Sequence, residues 1–301
     1  WYRPDRGSEG VVPGSAMNVS SNNTPPVSPW TTRPLVLQSR RPETPGVETF
    51  EFAEATSGIA TGALGLPGQF NMLYVPGYGE AAISLSAPAD NSGRHLHTIR
   101  TVGNVTQALF RLQPGEMVGC RGPFGTGWPL EACRENEVVM IGGGIGLAPL
   151  RSLIGWFRAN PTGHRVSVLL GARSPEHLLY QPEYRDWEAS GIQVHCTVDR
   201  ATPSWQGHVG VVLTLMDRLS LPNPRNTIVL ICGPEIMMRY SALEALERGI
   251  PADRIWLSIE RHMNCAVGLC GRCQWGSHLI CARGPVLRYD QLVHQWNVPA
   301  L

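Results

Sequence analysis

Four cysteines near the end of the chain are the residues best suited to chemistry. They are Cys265, Cys270, Cys273 and Cys281, half of the eight cysteines in a sequence of 301 residues. Eight cysteines are too few for a disulfide scaffold in a chain of this length, and their clustering at one end favours a metal site in a reducing compartment. The sequence therefore predicts that these four thiols bind metal.

The spacing of the four cysteines is C-x4-C-x2-C-x7-C. The first three have the spacing of plant-type [2Fe–2S] ligands, in which a glycine-rich loop lets the thiolates converge on one cluster. The fourth follows much sooner than in those ferredoxins, so the segment is not a ferredoxin domain. A structural zinc is the alternative, because four cysteines also form a tetrahedral site, although zinc ribbons more often use two C-x2-C pairs.

Composition limits the other kinds of chemistry. The net charge is +1, which indicates neither a nucleic-acid partner nor an anionic membrane. All 25 basic residues are arginine, which excludes a lysine Schiff base and a P-loop lysine. No apolar run approaches the roughly 18 to 20 residues of a spanning helix, and there is no apolar signal-peptide core, so we expect a cytoplasmic protein with no membrane partner.

Four regions must position the cysteines. Residues 1–30 are rich in Ser, Asn and Pro and predict an irregular arm. Residues 31–133 contain short alternating runs between Gly and Pro, which predict an antiparallel β-barrel with one helix at VTQALFRL. In residues 134–257, buried strands alternate with helical patterns such as APLRSLIGWF and VGVVLTLMDRL, which predicts a doubly wound, parallel α/β sheet. Residues 258–301 hold the cysteines and a tail.

The glycine loop IGGGIGLAPLR follows the first strand of the α/β region. Its glycines let the backbone turn tightly and approach a bulky anion, and the following helix offers free N–H groups to a phosphate. The four glycines expected to line a bound phosphate are Gly142, Gly143, Gly144 and Gly146. The loop lacks the G-x-G-x-x-G spacing with an acidic residue about 20 positions on, which indicates a different dinucleotide fold. An ordinary strand-to-helix turn is the alternative.

Two further strand ends carry unusual turns. GARS, residues 171–174, follows RVSVLL, and CGPEIMM, residues 232–238, follows TIVLI. Ligands of open parallel sheets bind outside the carboxyl ends of the strands, so we expect a nucleotide at this edge. Arg173 could pair with a 2′-phosphate, which slightly favours NADPH over NADH, although such turns also occur in proteins that use NAD.

The order of barrel, GGGIGLAPLR and CGP resembles the ferredoxin–NADP reductase superfamily over residues 33–260. In that superfamily the barrel holds a flavin and the second domain binds NAD(P)H. The resemblance implies that the glycines of the turn cradle the NAD(P) pyrophosphate. It also implies that Cys232 and Gly233 lie beside the nicotinamide, with Pro234 completing the contacts; a buried strand-end cysteine is the alternative for Cys232.

The flavin signature of the superfamily, Arg-x-Tyr/Phe-Ser, is broken here. AAIS has Ala81 and Ile83 in place of the arginine and the aromatic residue, and Ser84 and Ser86 remain as the implied FAD contacts. HTIRTVGNVTQAL resembles the second flavin segment, and RGPFG, residues 121–125, completes the barrel pattern. A pyrophosphate site at the start of a helix favours FAD over FMN. The FAD contacts implied in this second segment are Arg100, Gly103, Val105 and Thr106.

All these features together resemble a narrower group of electron-transfer subunits. The group includes the gamma subunit of bidirectional NAD(P)-linked nickel–iron hydrogenases and the electron-transfer subunit of dihydroorotate dehydrogenase. It also includes the small subunit of NADH-dependent ferredoxin–NADP oxidoreductase and the B subunit of anaerobic sulfite reductase. The short interval before Cys281 and the AAIS stretch most resemble the hydrogenase and sulfite-reductase branch.

The resemblance implies an oxidoreductase that needs no acid or base catalyst. A flavin exchanges hydride with a nicotinamide and single electrons with an iron–sulfur cluster, so NAD(P)H, FAD and [2Fe–2S] would form a converter. The chain has no second cysteine set, so we expect a heteromeric complex with an iron–sulfur subunit and nickel–iron hydrogenase subunits. The alternatives are electron input to sulfite reductase or dihydroorotate dehydrogenase, and a zinc-stabilised nucleotide-binding regulator.

Overall fold

The computed structural model describes residues 28–55, 65–88 and 93–296, with the backbone alone at 295 and 296. Most of the predicted N-terminal arm lies outside these residues. The strands within them are β1 (Arg33–Thr44), β2 (Val47–Glu54), β3 (Phe70–Val75), β4 (Gly79–Ser84), β5 (Arg94–Arg100), β6 (Met117–Phe124), β7 (Glu137–Gly143), β8 (Val166–Ala172), β9 (Ile192–Val198), β10 (His208–Val209), β11 (Thr227–Cys232), β12 (Ile255–Ser258), β13 (Gln274–Trp275), β14 (His278–Leu279) and β15 (Val286–Arg288). The α-helices are α1 (Asn104–Leu109), α2 (Leu130–Arg134), α3 (Leu147–Ala159), α4 (Tyr184–Ala189), α5 (Glu235–Glu247), α6 (Ile280–Arg283) and α7 (Val293–Trp296).

The first six strands form the predicted antiparallel barrel. Their order is β4-β3-β6-β1-β2-β5, and the chain at and just after the end of β4 is bonded to β5 at the opposite edge of the sheet. The Ser86 N–H donates to Leu96 O at 2.9 Å, and His97 Nδ1 lies 2.9 Å from Ser84 O. Alternate residues point inward, and α1 closes one end of the apolar interior. That interior includes Leu35, Leu37, Phe50, Phe52, Leu73, Ile99 and Leu109.

The second sheet has the order β10-β9-β8-β7-β11-β12-β15, parallel except for β15. Successive residues of β7 point to opposite faces, as strand geometry requires. Val138 and Met140 pack with α3 and with Trp187 of α4, whereas Val139 and Ile141 pack with α5 and with the segment Val212–Arg218. Helical segments therefore cover both faces, which confirms the doubly wound architecture.

Several short elements were not predicted, and one predicted helix is of an unusual type. The helical pattern VGVVLTLMDRL forms the 3₁₀ helix Val212–Arg218. Val212, Leu215 and Met216 are nonetheless buried against the sheet. Val212 and Leu215 align because residues three apart eclipse in a 3₁₀ helix. Strand β15 was not predicted, since three residues carry too little periodicity to identify a strand.

The switch point of the parallel sheet lies beside β7. The chain moves from β7 outward through β8 and β9, then returns to add β11 on the other side. Ligand crevices form at the carboxyl ends of strands at such a reversal, so β7 and β11 delimit the expected site. The predicted boundaries after residues 30, 133 and 257 stay predictions. Within the described parts of the chain, no helix combines the length and apolar character needed to cross a bilayer.

Candidate functional site

The glycine turn after β7 is closely packed against the turn after β11. Gly142 and Gly143 are buried at the end of β7, whereas Gly144 is exposed with φ of +54°. A methyl group at Gly146 would lie 2.6 Å from the Cα atom of Gly233. The two backbones therefore meet at a distance that only glycine allows, and the structure brings together the two turns that the sequence predicted to meet.

Cys232 forms the buried base of the second turn. Its side chain is 1% exposed, and Ser258 is its partner on the adjacent strand β12. Burial raises the pKa of the thiol far above its usual range, and the nearby Glu260 carboxylate raises it further. Gly233 is half-buried and Pro234 is exposed. The backbone and proline of this turn face the crevice entrance, while the thiol itself is neutral and enclosed.

Arg173 lies just beyond β8, on the same edge of the sheet. Its side chain is exposed, and its carbonyl oxygen accepts the N–H of Arg200 at 2.9 Å. Its position beside the end of β7 follows from the parallel pairing of β7 and β8. The guanidinium is therefore exposed on the edge of the sheet where the sequence predicted a nucleotide.

Two serines predicted to contact FAD differ in exposure. Ser84 ends β4 and is half-buried. Ser86 is completely buried at the seam between the barrel and the second sheet, where its carbonyl accepts Arg151 Nη1 at 2.6 Å. Its hydroxyl is buried without a hydrogen-bond partner among the described residues, a costly arrangement for a polar group. Ser84 is therefore the better placed of the two to reach a ligand.

Thr106 is not the N-cap of α1; it lies in the first turn, and its hydroxyl holds the preceding backbone in place. Gly103 occupies the cap position, and the N–H groups of Val102 and Gly103 each donate to Thr106 Oγ1 at 3.0 Å. Val105 packs into the barrel interior, so its side chain does not face outward. What this turn offers to an anion is the backbone around the exposed Gly103, together with Arg100 at the exposed end of β5.

Glu260 is a functional candidate that the sequence analysis missed. It follows β12, is exposed at the surface, and lies near both Cys232 and Arg100. The surrounding protein raises the pKa of its carboxyl, an effect that the positive charge of Arg100 partly offsets. The available signal was an acidic residue at the end of the strand-like run RIWLSIE, at the edge where ligands bind.

The cysteine loop directs backbone N–H groups at sulfur atoms. Leu269 N–H donates to Cys265 Sγ at 3.3 Å, and Gly268 N–H donates to Cys281 Sγ at 3.2 Å. Burial opposes ionisation of Cys265, but the N–H donors outweigh it and lower the pKa of the thiol to about 6. The loop is therefore arranged to stabilise anionic sulfur, the form in which cysteine binds metal.

The four thiols stand as two pairs. Cys270 N–H donates to Cys265 Sγ at 3.5 Å, and Cys281 N–H donates to Cys273 Sγ at 3.4 Å. Burial and the Cys273 thiol raise the pKa of Cys281 to about 12. A donor set of two neighbouring pairs suits a binuclear group, in which each metal takes two cysteines.

One edge of the cysteine loop faces solvent. Cys265, Cys273 and Cys281 are buried, but Cys270 is exposed and Leu269 beside it is 73% exposed. Asn264, just before the loop, lines an open cleft of about 650 Å³ against the barrel. The residues that line this cleft include Trp30, Tyr74, Glu80, Arg121 and Asn264.

Comparison with protein families gives two matches. Residues 140–242 match the oxidoreductase NAD-binding domain. Residues 260–293 match the iron–sulfur cluster binding domain of dihydroorotate dehydrogenase B. The first match contains the glycine and CGP turns, and the second contains all four cysteines of the loop.

Relatives of known name cover most of this chain. The sequence is 34% identical over 240 residues to sulfhydrogenase 2 subunit gamma of Pyrococcus furiosus, covering 74% of this chain and 83% of that protein. It is 35% identical over 237 residues to sulfhydrogenase 1 subunit gamma of the same organism, covering 75% and 80%. It is also 33% identical over 253 residues to a probable dihydroorotate dehydrogenase B (NAD(+)) electron transfer subunit of Methanocella arvoryzae, covering 83% and 88%.

Solved structures share the fold. An NADH-dependent reduced ferredoxin–NADP oxidoreductase, described in connection with flavin-based electron bifurcation, superposes with a TM-score of 0.69 at 25% identity, covering 87% of this chain and 92% of that one. The ferredoxin reductase of carbazole 1,9a-dioxygenase superposes with a TM-score of 0.64 at 21% identity, covering 75% and 68%. The second similarity concerns the fold alone.

Proposed function

Because the chain belongs to the family of sulfhydrogenase gamma and dihydroorotate dehydrogenase electron-transfer subunits, we propose that it is the NAD(P)H-linked electron-transfer subunit of a nickel–iron hydrogenase. It is an oxidoreductase with the ferredoxin–NADP reductase fold, an NAD-binding domain and an iron–sulfur segment. Two sulfhydrogenase gamma subunits at 34% and 35% identity support the hydrogenase assignment. The broken flavin signature and the short interval before Cys281 favour the same branch.

We propose that the cysteine loop holds a [2Fe–2S] cluster. The observation that carries this proposal is the arrangement of the four cysteines as two pairs, each joined by an N–H bond to sulfur, with further backbone N–H groups directed at Cys265 and Cys281. A binuclear cluster requires two cysteines at each iron, whereas a structural zinc requires four ligands around one position. N–H bonds to sulfur also stabilise the negative charge of a cluster with four thiolate ligands.

We assign NAD(P) to the crevice between the turns after β7 and β11. The exposed backbone at Gly144 and the start of α3 would bind the pyrophosphate, because N–H groups at a helix start attract anions. The closely packed glycines Gly142, Gly143 and Gly146 shape that backbone. Gly233 and Pro234 would contact the nicotinamide end, and the buried Cys232 would support them from below.

FAD belongs, in this proposal, to the seam between the barrel and the second sheet. Ser84, Arg100 and the backbone at Gly103 are the contacts open to a ligand, while Thr106 and Val105 hold the turn that presents them. Ser86 would shape the seam from its buried position. When bound, FAD supplies the exchange of a two-electron hydride for single electrons. The protein itself moves no proton in this scheme; its residues hold the groups in order.

Electrons would leave through the exposed edge of the cysteine loop. Cys270 is exposed among otherwise buried cysteines, and Leu269 projects an apolar side chain beside it. Such a residue at the rim of a redox centre suits a contact with a partner iron–sulfur subunit. Leu269→Arg should weaken the copurification of partner subunits at least tenfold without lowering NAD(P)H oxidation by an artificial one-electron acceptor, and Leu243→Arg on the exposed side of α5 is the matched control.

Analysis of the purified chain for iron, acid-labile sulfide, FAD and zinc tests the assignment. We expect two irons and two sulfides per chain, as one [2Fe–2S] cluster contains, together with one FAD. One zinc in a colourless protein would instead support the nucleotide-binding regulator. Identification of copurifying subunits then distinguishes the terminal catalyst: nickel–iron subunits support the proposal, whereas dihydroorotate dehydrogenase or sulfite reductase subunits would contradict it.

A further inference from the structure

Arg121 links the barrel directly to the cysteine loop. It lies on β6 within RGPFG and is 4% exposed. Its Nη1 donates to Cys265 O at 3.3 Å, and its Nη2 donates to Asn264 O at 3.4 Å. Nη1 also donates to Pro29 O at 2.9 Å. One buried guanidinium thus joins the barrel, the start of the described chain and the carbonyl of the first cysteine in the loop.

The backbone that Arg121 holds is strained. Ala266, immediately after Cys265, has φ of +63° and is buried. A left-handed conformation costs a residue with a β-carbon about 1–2 kcal/mol, so it persists only where the surroundings enforce it. The two bonds from Arg121 end on the carbonyls just before this residue. They are therefore placed to hold the chain in the path that carries Cys265 toward its neighbours.

The charge of Arg121 is paired on the barrel side. Its Nε and Nη2 donate to the two carboxylate oxygens of Glu80 on β4, at 2.8 Å and 2.7 Å. Bidentate pairs of this kind fix the guanidinium plane as well as its position. The Glu80 bond is the main cause of a raised pKa for Arg121, and the Cys265 thiol adds to it. The guanidinium stays charged beside the sulfur ligand.

We propose that Arg121 is a positioning residue for the cluster: it fixes the backbone of Cys265 against the flavin barrel, and its charge, opposed by that of Glu80, tunes how readily the cluster accepts an electron. This inference rests on the proposed binding of the cluster at the cysteine loop. A buried cation close to a cluster favours the reduced form, because reduction adds negative charge where little water screens it. The opposing carboxylate acts in the reverse direction.

Substitutions at Arg121 and Glu80 should shift the midpoint potential of the cluster in opposite directions. Opposite shifts indicate a charge effect, because general structural disruption would not depend on the sign of the charge removed. In redox titrations of the cluster-loaded chain followed by EPR, Arg121→Gln should lower the midpoint potential and Glu80→Gln should raise it. We expect each shift to correspond to roughly a tenfold change in the one-electron equilibrium, about 59 mV. Arg33→Gln is the control: Arg33 is a barrel arginine that bonds to Glu54 and Gly122 O, and its variant should keep the wild-type potential.

Hydrogen exchange tests the positioning role without electron transfer. Arg121→Lys keeps the charge but loses the fork of donors, so the potential should stay near wild type while the amides of residues 266–270 exchange faster. If Arg121→Gln loses its cluster, the midpoint potential of Glu80→Gln still tests the charge effect. Glutamine at position 80 removes the negative charge but keeps an oxygen that can accept a hydrogen bond from Arg121.

Iron-loaded variants with unchanged potentials, or potentials that shift in the same direction, would overturn the tuning role. Unchanged exchange in Arg121→Lys would overturn the positioning role. A wild-type chain that contains zinc and no iron would refute the proposed function instead, so the two failures are distinguishable.

Discussion

Two glycine-rich loops of this chain, IGGGIG at residues 141–146 and CAVGLCGRC at residues 265–273, use glycine for different physical reasons. At Gly146 the α-carbon faces the backbone of the CGP turn, with the Cα of Gly233 only 2.6 Å from where a side chain would begin. At Gly271 a side chain would meet nothing within 4 Å, but φ is +74°. The first loop needs glycine for space and the second needs it for backbone conformation.

The difference shows how each loop is prepared for its ligand. The glycine turn is shaped by contact with another strand end of a tightly packed sheet, so its conformation is preformed before a ligand binds. The cysteine loop packs Cys265, Ala266 and Cys273 into the core under the second sheet, but its path is set by N–H bonds to sulfur, by the left-handed Ala266 and by Arg121. A loop whose shape depends on bound metal loses most of its order when the metal or one of its ligands is removed.

Removal of one cysteine ligand should have the largest effect. In Cys273→Ala we expect iron and sulfide to be lost completely, while FAD content and far-UV circular dichroism stay at wild-type levels, because the sheets do not depend on the loop. Iron and sulfide assays measure the loss. Cys196→Ala, which changes a half-buried cysteine of β9, is the control and should keep the cluster. A Cys273→Ala protein with full iron and sulfide would disprove the ligand assignment.

A matched pair of alanine substitutions tests the contrast between the glycines. Gly146→Ala should destabilise the protein by about 1–3 kcal/mol, as overpacking does, and weaken NAD(P)H binding more than tenfold because the turns must separate. Gly271→Ala should cost about 1–2 kcal/mol of local backbone strain and leave NAD(P)H binding unchanged. Urea unfolding and fluorescence titration measure both. Equal effects on NAD(P)H binding would contradict the distinction between the loops.

Acid should act on the barrel that supports both loops. Burial, with the charges of His95 and Arg33, lowers the pKa of His97 to about 3, whereas the unfolded chain protonates this residue near 6.5. The unfolded state therefore binds the extra proton below pH 6.5, and stability should fall by about 2 kcal/mol between pH 7 and pH 5. His97→Gln should flatten this slope in urea unfolding, and the exposed His164→Gln should not. An unchanged slope in His97→Gln would exclude a neutral, buried His97 as the cause.

The smallest expected effect concerns nucleotide choice at the glycine turn. If Arg173 pairs with a 2′-phosphate, the wild type should prefer NADPH, and Arg173→Ala should bring kcat/KM for NADPH and NADH close to equality. Arg200→Ala, a neighbour beyond β9, is the control. A preference that survives Arg173→Ala would show that the choice is made elsewhere in the crevice.

Local patterns were enough to predict the order of barrel, parallel sheet and cysteine loop. Alternation with Gly and Pro punctuation predicted the barrel, and buried runs between helical patterns predicted the sheet, because both signals depend on neighbours in sequence. The meeting of the glycine and CGP turns followed from a general property of parallel sheets. A helix was predicted at Val212–Arg218, but its 3₁₀ type was not, since a short apolar pattern does not specify the helix type.

Within the candidate site, the sequence identified polar and reactive residues at strand ends but could not predict whether their side chains are exposed. Ser86 and Cys232 are both polar or reactive residues at strand ends, yet the structure buries both completely, so neither side chain is open to a ligand. Glu260 and Arg121 were not assigned roles, because each gains its importance from residues more than 25 positions away. No local periodicity records such a contact.

The sequence by itself determined which chemical groups this protein has: four thiols at cluster spacing, glycines at strand ends, and no lysine. These are properties of residue type and short spacing. Only the tertiary structure decided that the thiols form two pairs, that Gly146 touches the CGP turn, and that Arg121 reaches from β6 to Cys265. The reason is physical: distances between residues far apart in the chain depend on the packing of whole sheets, which no segment specifies alone.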